Sequence, residues 1–221
     1  MKRTHLYAAV AIVCSSLPSF ALVAHVGPRV GLNLANQWGK DSRDNAGILA
    51  GLVAGITVPL EIKPHLYLEP EIHFSMKGTA WDSTVLDENG DAFERINYVE
   101  IPVTVKFSLP GMGDNLVKPF LYLGPALGLR TNGYIQWNRS TAADNGTKSH
   151  YTLTEELNVV DLSIAGGGAV HIKLADGFFF LDVRYSLGLL KTDVSEADRK
   201  NWCGAVTLGY VFRLEKKEQL W

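Results

Sequence analysis

The chain has 221 residues, a formal net charge of −2 and 20% charged residues. That length allows one large domain, and the charge gives no reason to expect nucleic-acid binding. No uninterrupted apolar run of about 18 residues occurs in the body of the chain, which argues against a helical membrane span there.

Lys2 and Arg3 precede an apolar run from Leu6 to Leu17, followed by Ser19-Phe20-Ala21. This layout predicts a cleavable secretory signal peptide over residues 1–21, with cleavage after Ala21 or alternatively Ala24. A membrane anchor helix is the competing reading, but the run is short for a span. Val13 before Cys14 does not suit a lipoprotein signal. The predicted mature domain, 22–221, retains a single cysteine, Cys203, in a strand pattern without metal-ligand spacing. It reads as a small buried side chain.

Eight alternating or apolar segments follow, at roughly 25–36, 47–60, 65–77, 95–109, 118–131, 157–174, 178–190 and 201–214. Glycine and proline interrupt often, and no long run keeps helical spacing. The links at 61–64, 110–117 and 175–177 are short; those at 37–46, 78–93, 132–156 and 191–200 are longer. Long and short links alternate along the chain, as in up-and-down barrels with short periplasmic turns and longer outer loops.

The faces of these strands are distinct. In 97–107, Val99, Ile101, Val103, Val105 and Phe107 alternate with Tyr98, Glu100, Pro102, Thr104 and Lys106. In 180–190, Leu181, Val183, Tyr185, Leu187 and Leu189 oppose Phe180, Asp182, Arg184, Ser186 and Gly188. The polar faces mix Gly, Ala, Ser and aromatics with charges of both signs. Arg29, Lys106, Lys173, Arg184 and Arg213 share a side with Glu69, Glu71, Glu100, Asp161 and Asp182. Buried charges need partners, and small residues relieve crowding in a narrow barrel. The predicted fold is therefore an all-β, eight-stranded antiparallel up-and-down transmembrane β-barrel, with Val99 to Phe107 toward lipid and Glu100 to Lys106 inward. The rival is a soluble lipocalin-like barrel with every face inverted. Pro70, Pro102 and Pro125 lie inside the strands and suggest bulges or offsets in hydrogen bonding.

Four stretches resemble one family. "GPRVGLNLAN" resembles its opening strand, "INYVEIPVTVKF" its Tyr-x-Glu-Ile-Pro-x-x-x-Lys strand, "KPFLYLGPALGL" its Pro-aromatic, Gly-Pro strand, and "TLGYVF" its closing strand. The family is that of PorT-like eight-stranded outer-membrane barrels, more distantly the OmpX/OmpA type. The resemblance implies a bacterial outer-membrane location, contact with outer-membrane lipid and insertion by the barrel-assembly machinery. It supplies no reaction. Thr207, Gly209, Phe212 and Leu214 resemble the closing-strand insertion signal, although a charged tail, "EKKEQLW", follows and Trp221 offers another terminus for it.

About eight strands leave an interior filled by side chains. The inward charges then read as a structural network rather than an ion path. The leading functional expectation is a scaffold that meets an envelope or extracellular partner through loops 78–93 and 132–156. The alternatives are a narrow channel or secretion-apparatus component, and a small lipid-modifying enzyme. Glu71, His73 and Ser75 lie on one strand face, but residues two apart are about 6–7 Å apart and no nucleophile elbow occurs. No catalytic residue, cofactor or metal site is expected, since the six histidines lack ligand spacing. Trp38, Trp81, Trp137 and Trp202 suggest an interfacial aromatic girdle, with one or two of them equally readable as loop-packing residues.

Overall fold

The structure is a computed structural model, and it describes residues 23–42, 45–82, 90–109, 116–139, 148–153, 156–174, 177–195 and 197–214. The expected signal segment 1–21 and the tail 215–221 lie outside the described residues.

Among the described residues, eleven strand segments form one closed antiparallel sheet. Eight make the ring: β1 (Val23–Trp38), β3 (Leu49–Thr57), β5 (Leu66–Asp82), β6 (Gly90–Ser108), β7 (Val117–Arg139), β9 (Val160–Leu174), β10 (Gly177–Gly188) and β11 (Lys200–Arg213). Each pairs with its sequence neighbour, and β11 returns to β1 from His25↔Arg213 to Trp38↔Lys200. Closure leaves no free edge, so every wall strand is paired on both sides. Three short segments extend the wall. β2 (Ala46–Gly47) pairs β5, β4 (Leu60–Lys63) pairs β1 and β5, and β8 (Lys148–Thr152) pairs the far end of β7.

Burial alternates along most of each ring strand. Along β6, Tyr98 is 1% exposed and Thr104 0%, whereas Val105 is 51% and Phe107 43% exposed. The same inversion holds for Leu32, Leu123, Leu162, Val183 and Val206, which stand outward, while Arg29, Lys77, Glu100 and Asp182 are buried. A water-soluble protein would expose those charges and bury those aliphatics. The faces therefore have lipid outside and a polar interior, and the soluble-barrel alternative is inverted at every strand.

At Pro102 and Pro125 the strands show interrupted hydrogen bonding rather than a bulge. The β5–β6 ladder has a gap opposite Pro102, at Glu71 and Ile72, and the β6–β7 ladder has one opposite Pro125, at Val103 and Thr104. Register is identical on both sides of each gap. A missing N–H removes rungs without inserting a residue. Register shifts lie elsewhere: in β4 between Glu61 and Lys63, and in β7 opposite Asn97/Tyr98, where Thr131 is the extra residue and its hydroxyl donates to the Asn97 carbonyl at 3.1 Å.

Three expected boundaries are corrected. Much of 78–93 is wall, because β5 runs to Asp82 and β6 starts at Gly90; residues 83–89 lie outside the described residues. Much of 132–156 is a hairpin of β7 and β8, with 140–147 outside the described residues. Residues 61–63 belong to β4, leaving Pro64-His65 as the turn, with His65 at φ 71°. Backbone pairing continues where polar, turn-like composition hid it. The long upper parts of β5 to β8 make a wall extension at the end opposite Val23 and Arg213.

The girdle is also corrected. Trp38 and Trp202 stand outward, and Trp202 stacks on Tyr185 with ring centroids 5.9 Å apart. Trp81 is buried, and its cross-strand partner Ala92 pairs onward with Trp137, so this row lies on the inner face. Cross-strand partners share a face.

Candidate functional site: the charged interior and its two ends

The interior is a ladder of charges held by strands from around the ring. Arg29 on β1 is the hub of its middle rung. Its Nη1 donates to Glu71 Oε2, and its Nη2 donates to Asp182 Oδ1 at 3.0 Å and to Thr207 Oγ1 at 2.7 Å. Arg184 grips the same Glu71 from β10: Nη2 donates to Oε1 at 2.5 Å and Nη1 to Oε2 at 3.0 Å. Its Nε donates to the Tyr122 hydroxyl at 3.2 Å. Both Arg side chains are at most 6% exposed. Such fork-to-carboxylate pairs are the geometry in which arginine suits burial.

A second rung lies toward the outer end. Lys77 Nζ is 2.6 Å from Glu100 Oε1 and 3.5 Å from Asp161 Oδ2. Asn201 donates to both the Tyr98 hydroxyl and Asp161 Oδ2 at 3.1 Å. A third rung lies toward the opposite end, where Lys106 pairs with Glu69, and Thr57 donates to Glu69 Oε1 at 2.7 Å. Four cations (Arg29, Lys77, Lys106, Arg184) thus face five carboxylates (Glu69, Glu71, Glu100, Asp161, Asp182). His73 sits between two of those carboxylates, 3.4 Å from Glu71 and 3.1 Å from Glu100.

Eight of the ten interior residues read from the sequence meet in this ladder. Lys173 and Arg213 do not. Both are exposed at the end where the chain enters and leaves the wall, and they line an open cavity there. Alternation fixes the face of a residue but not its depth, so the strand ends were read as interior. The sequence reading missed Lys77, whose partners lie on β6 and β9. Its position two residues beyond Ser75 on the inward face was the available signal.

Glu71, His73 and Ser75 do not form a nucleophilic set. Ser75 Oγ accepts from Asn33 Nδ2 at 2.8 Å, and His73 faces carboxylates. All three lie inside the barrel wall, away from lipid. Among the described residues no group of three His, Cys, Asp or Glu is placed to hold a metal ion.

Of the resembled insertion signal, Thr207 and Gly209 face inward. Thr207 bonds Arg29, and a Cβ on Gly209 would lie 2.5 Å from the Phe180 ring. Phe212 is half exposed on the lipid side, and Leu214, just past the end of β11, is half exposed and lines the open cavity.

The two ends differ. At the outer end, residues 156–158 fold across the mouth. Leu153 and Leu157 pack with Ile96, Tyr98 and Ile135. Arg130 donates to the carbonyls of Leu157 and Asn158, each at 3.1 Å, and Leu157 bridges to Asp193. Arg199 Nη2 is 2.5 Å from Asp193 Oδ2, and its Nη1 lies 3.8 Å from Glu94. The opposite end opens into a cavity of about 790 Å³, whereas the cavity at the middle rung is about 20 Å³.

A family model described as "Outer membrane protein beta-barrel domain" matches residues 16–194. The chain belongs to this outer-membrane β-barrel family. It is an integral protein of the bacterial outer membrane, with the short turns and the open cavity on the periplasmic side. Neisserial surface protein A is 14% identical, with 88% of this chain and all of that one aligned and a TM-score of 0.44. OprG from Pseudomonas aeruginosa is 10% identical, covering 88% and 96%, at a TM-score of 0.49. Ail, the attachment invasion locus protein of Yersinia pestis, is 12% identical, covering 87% and 99%, at 0.39. No curated protein matches the chain.

Proposed function

We propose that this barrel is a membrane-anchored scaffold whose outer end engages a partner, rather than a pore or an enzyme. The observation that carries this reading is the sealed lumen. Three rungs of paired charge cross it, and the space at the middle rung is only about 20 Å³, room for little more than a single water. A narrow barrel that spends its interior on structure leaves its outward projections for interaction. Here those are the extended β5–β6 and β7–β8 hairpins, with links 78–93 and 132–156. Within the family, the Tyr98-x-Glu100-Ile101-Pro102 strand supports a PorT-like member. The buried Ser75 and His73, engaged with Asn33 and with carboxylates, support a non-enzymatic role.

The test combines a photo-crosslinking residue at Tyr151, which is half exposed on β8, with replacement of 140–147 by a Gly-Ser linker. On intact cells, a defined crosslinked species that disappears on loop replacement is expected, while the barrel keeps its heat-modifiable gel mobility. Discrete conductance steps from the purified protein in planar bilayers would instead establish the channel reading.

A further inference from the structure

The periplasmic cavity is independent of the outer loops, and nothing in a scaffold requires it. Its volume of about 790 Å³ falls in the range of small-molecule sites, about 300–1,000 Å³. It is blind. Lys106 and Glu69 close its floor, and the Arg29–Glu71–Arg184 rung lies above them. A solute that enters from the periplasm can leave only the same way.

The lining has two parts. The floor is aromatic. Tyr67 meets Phe120 edge-on with centroids 5.5 Å apart, Phe120 lies 4.4 Å from the His171 ring, and His25 meets Phe178 at 5.5 Å. The rim is cationic. Lys118 and Lys173 face inward as partners of His171 and Phe178, and Arg213 is the partner of His25. All three are exposed, and none is in an ion pair among the described residues. Among the described residues, Glu61 is the one carboxylate lining the cavity. Deeper in the lumen Arg29, Lys77, Lys106 and Arg184 are each paired with a carboxylate, unlike these three. A predominantly positive rim on a low-dielectric cup concentrates counter-ions of the opposite charge, and aromatic walls favour an apolar or ring-bearing body.

We propose that the periplasmic cup is a binding site for a small anionic amphiphile: a carboxylate or phosphate head held by Lys118, Lys173 and Arg213, with a ring or short apolar body seated against Phe120 and Phe178. The barrel wall separates the cup from the bilayer, so the ligand comes from the aqueous side.

The probe is 2-naphthoate, with 2-naphthylmethanol as its uncharged counterpart. Both are titrated calorimetrically into the full barrel in zwitterionic lipid nanodiscs. Naphthoate is expected to bind at least tenfold tighter than the alcohol and to shift the imidazole proton resonances of His25 and His171. The K173Q/R213Q variant alters two exposed side chains that hold no part of the wall, so its heat-modifiable mobility should persist. In it, naphthoate affinity should fall at least tenfold while that of the alcohol stays the same. Outer-end variant K200Q should leave both unchanged. Equal binding of acid and alcohol, or naphthoate affinity indifferent to K173Q/R213Q in a folded barrel, overturns the proposal by reducing the signal to lipid partitioning.

Discussion

Glu71 is the position where the interior ladder is most exposed to a single change. Its carboxylate is fully buried and accepts from Arg29 and doubly from Arg184. Glu71→Gln keeps the shape and removes the charge. Hydrogen bonds to charged groups contribute roughly 1.5–3 kcal/mol each, so three lost outright would sum to about 4.5–9 kcal/mol. Part is retained: Arg29 still reaches Asp182 at 3.0 Å and Thr207 at 2.7 Å, and Arg184 still reaches Tyr122. The expected cost is therefore about 3–5 kcal/mol, the range for breaking one side of a buried pair. Urea unfolding in lipid vesicles, followed by tryptophan emission and gel mobility, measures it. Glu71→Leu combined with Arg184→Met should recover more than half of the loss, because it removes the orphaned charge as well. A Glu71→Gln barrel within about 0.5 kcal/mol of the parent would refute the ladder as the source of interior stability.

Three further outcomes follow from the same geometry. Val103 is the middle one of the five outward residues Val99 to Phe107, so Val103→Arg should cost about 2–4 kcal/mol in vesicle unfolding, as at a bilayer midplane; a neutral result would contradict the lipid-facing assignment. Gly78 has φ 134°, and a Cβ there would lie 1.9 Å from the Glu94 carbonyl oxygen, so Gly78→Ala should destabilise by about 1–3 kcal/mol in the same assay. Cys203 is free, buried and inward, so maleimide should label it only after boiling or denaturation; rapid labelling of the folded barrel would place that thiol outside.

Alternation made the two faces legible, because a closed wall in lipid admits one arrangement. Val99 to Phe107 and Leu181 to Tyr185 carry that signal in single residues. Depth was not legible. Lys173 and Arg213 obey the same parity as Asp161 and Arg184, and only the three-dimensional register puts them at the rim. Strand ends were hidden for a related reason. Above the membrane a wall strand no longer needs an apolar outer face, so Gly90 to Arg95 and Asn132 to Arg139 lose the pattern while keeping their rungs. Trp81 shows the converse: an aromatic residue near a strand end reads as a girdle anchor, yet the inward face there also needs bulk against Ala92. The partners of Lys77 lie 23 and 84 residues along the chain, on β6 and β9, a pairing that no local window contains.

The two ends and the ladder form barriers in series, and they can be separated. The outer latch rests on Leu157 against Ile96 and Tyr98, and on Arg199 against Asp193. Below it, the lumen is still crossed by Lys77 with Glu100 and by Arg29, Glu71 and Arg184. Leu157→Ala with Arg199→Ala should free the 156–158 segment and increase its cleavage by protease added outside the cell. The wall should remain intact, because its rungs do not depend on either residue. Ion conductance in planar bilayers should stay absent, because eight strands leave no path around side chains that are locked in pairs. If opening the latch alone produced conductance steps, the seal would reside in the latch. The charged rungs would then form a hydrated path, and the outer segment would be a gate rather than a cover.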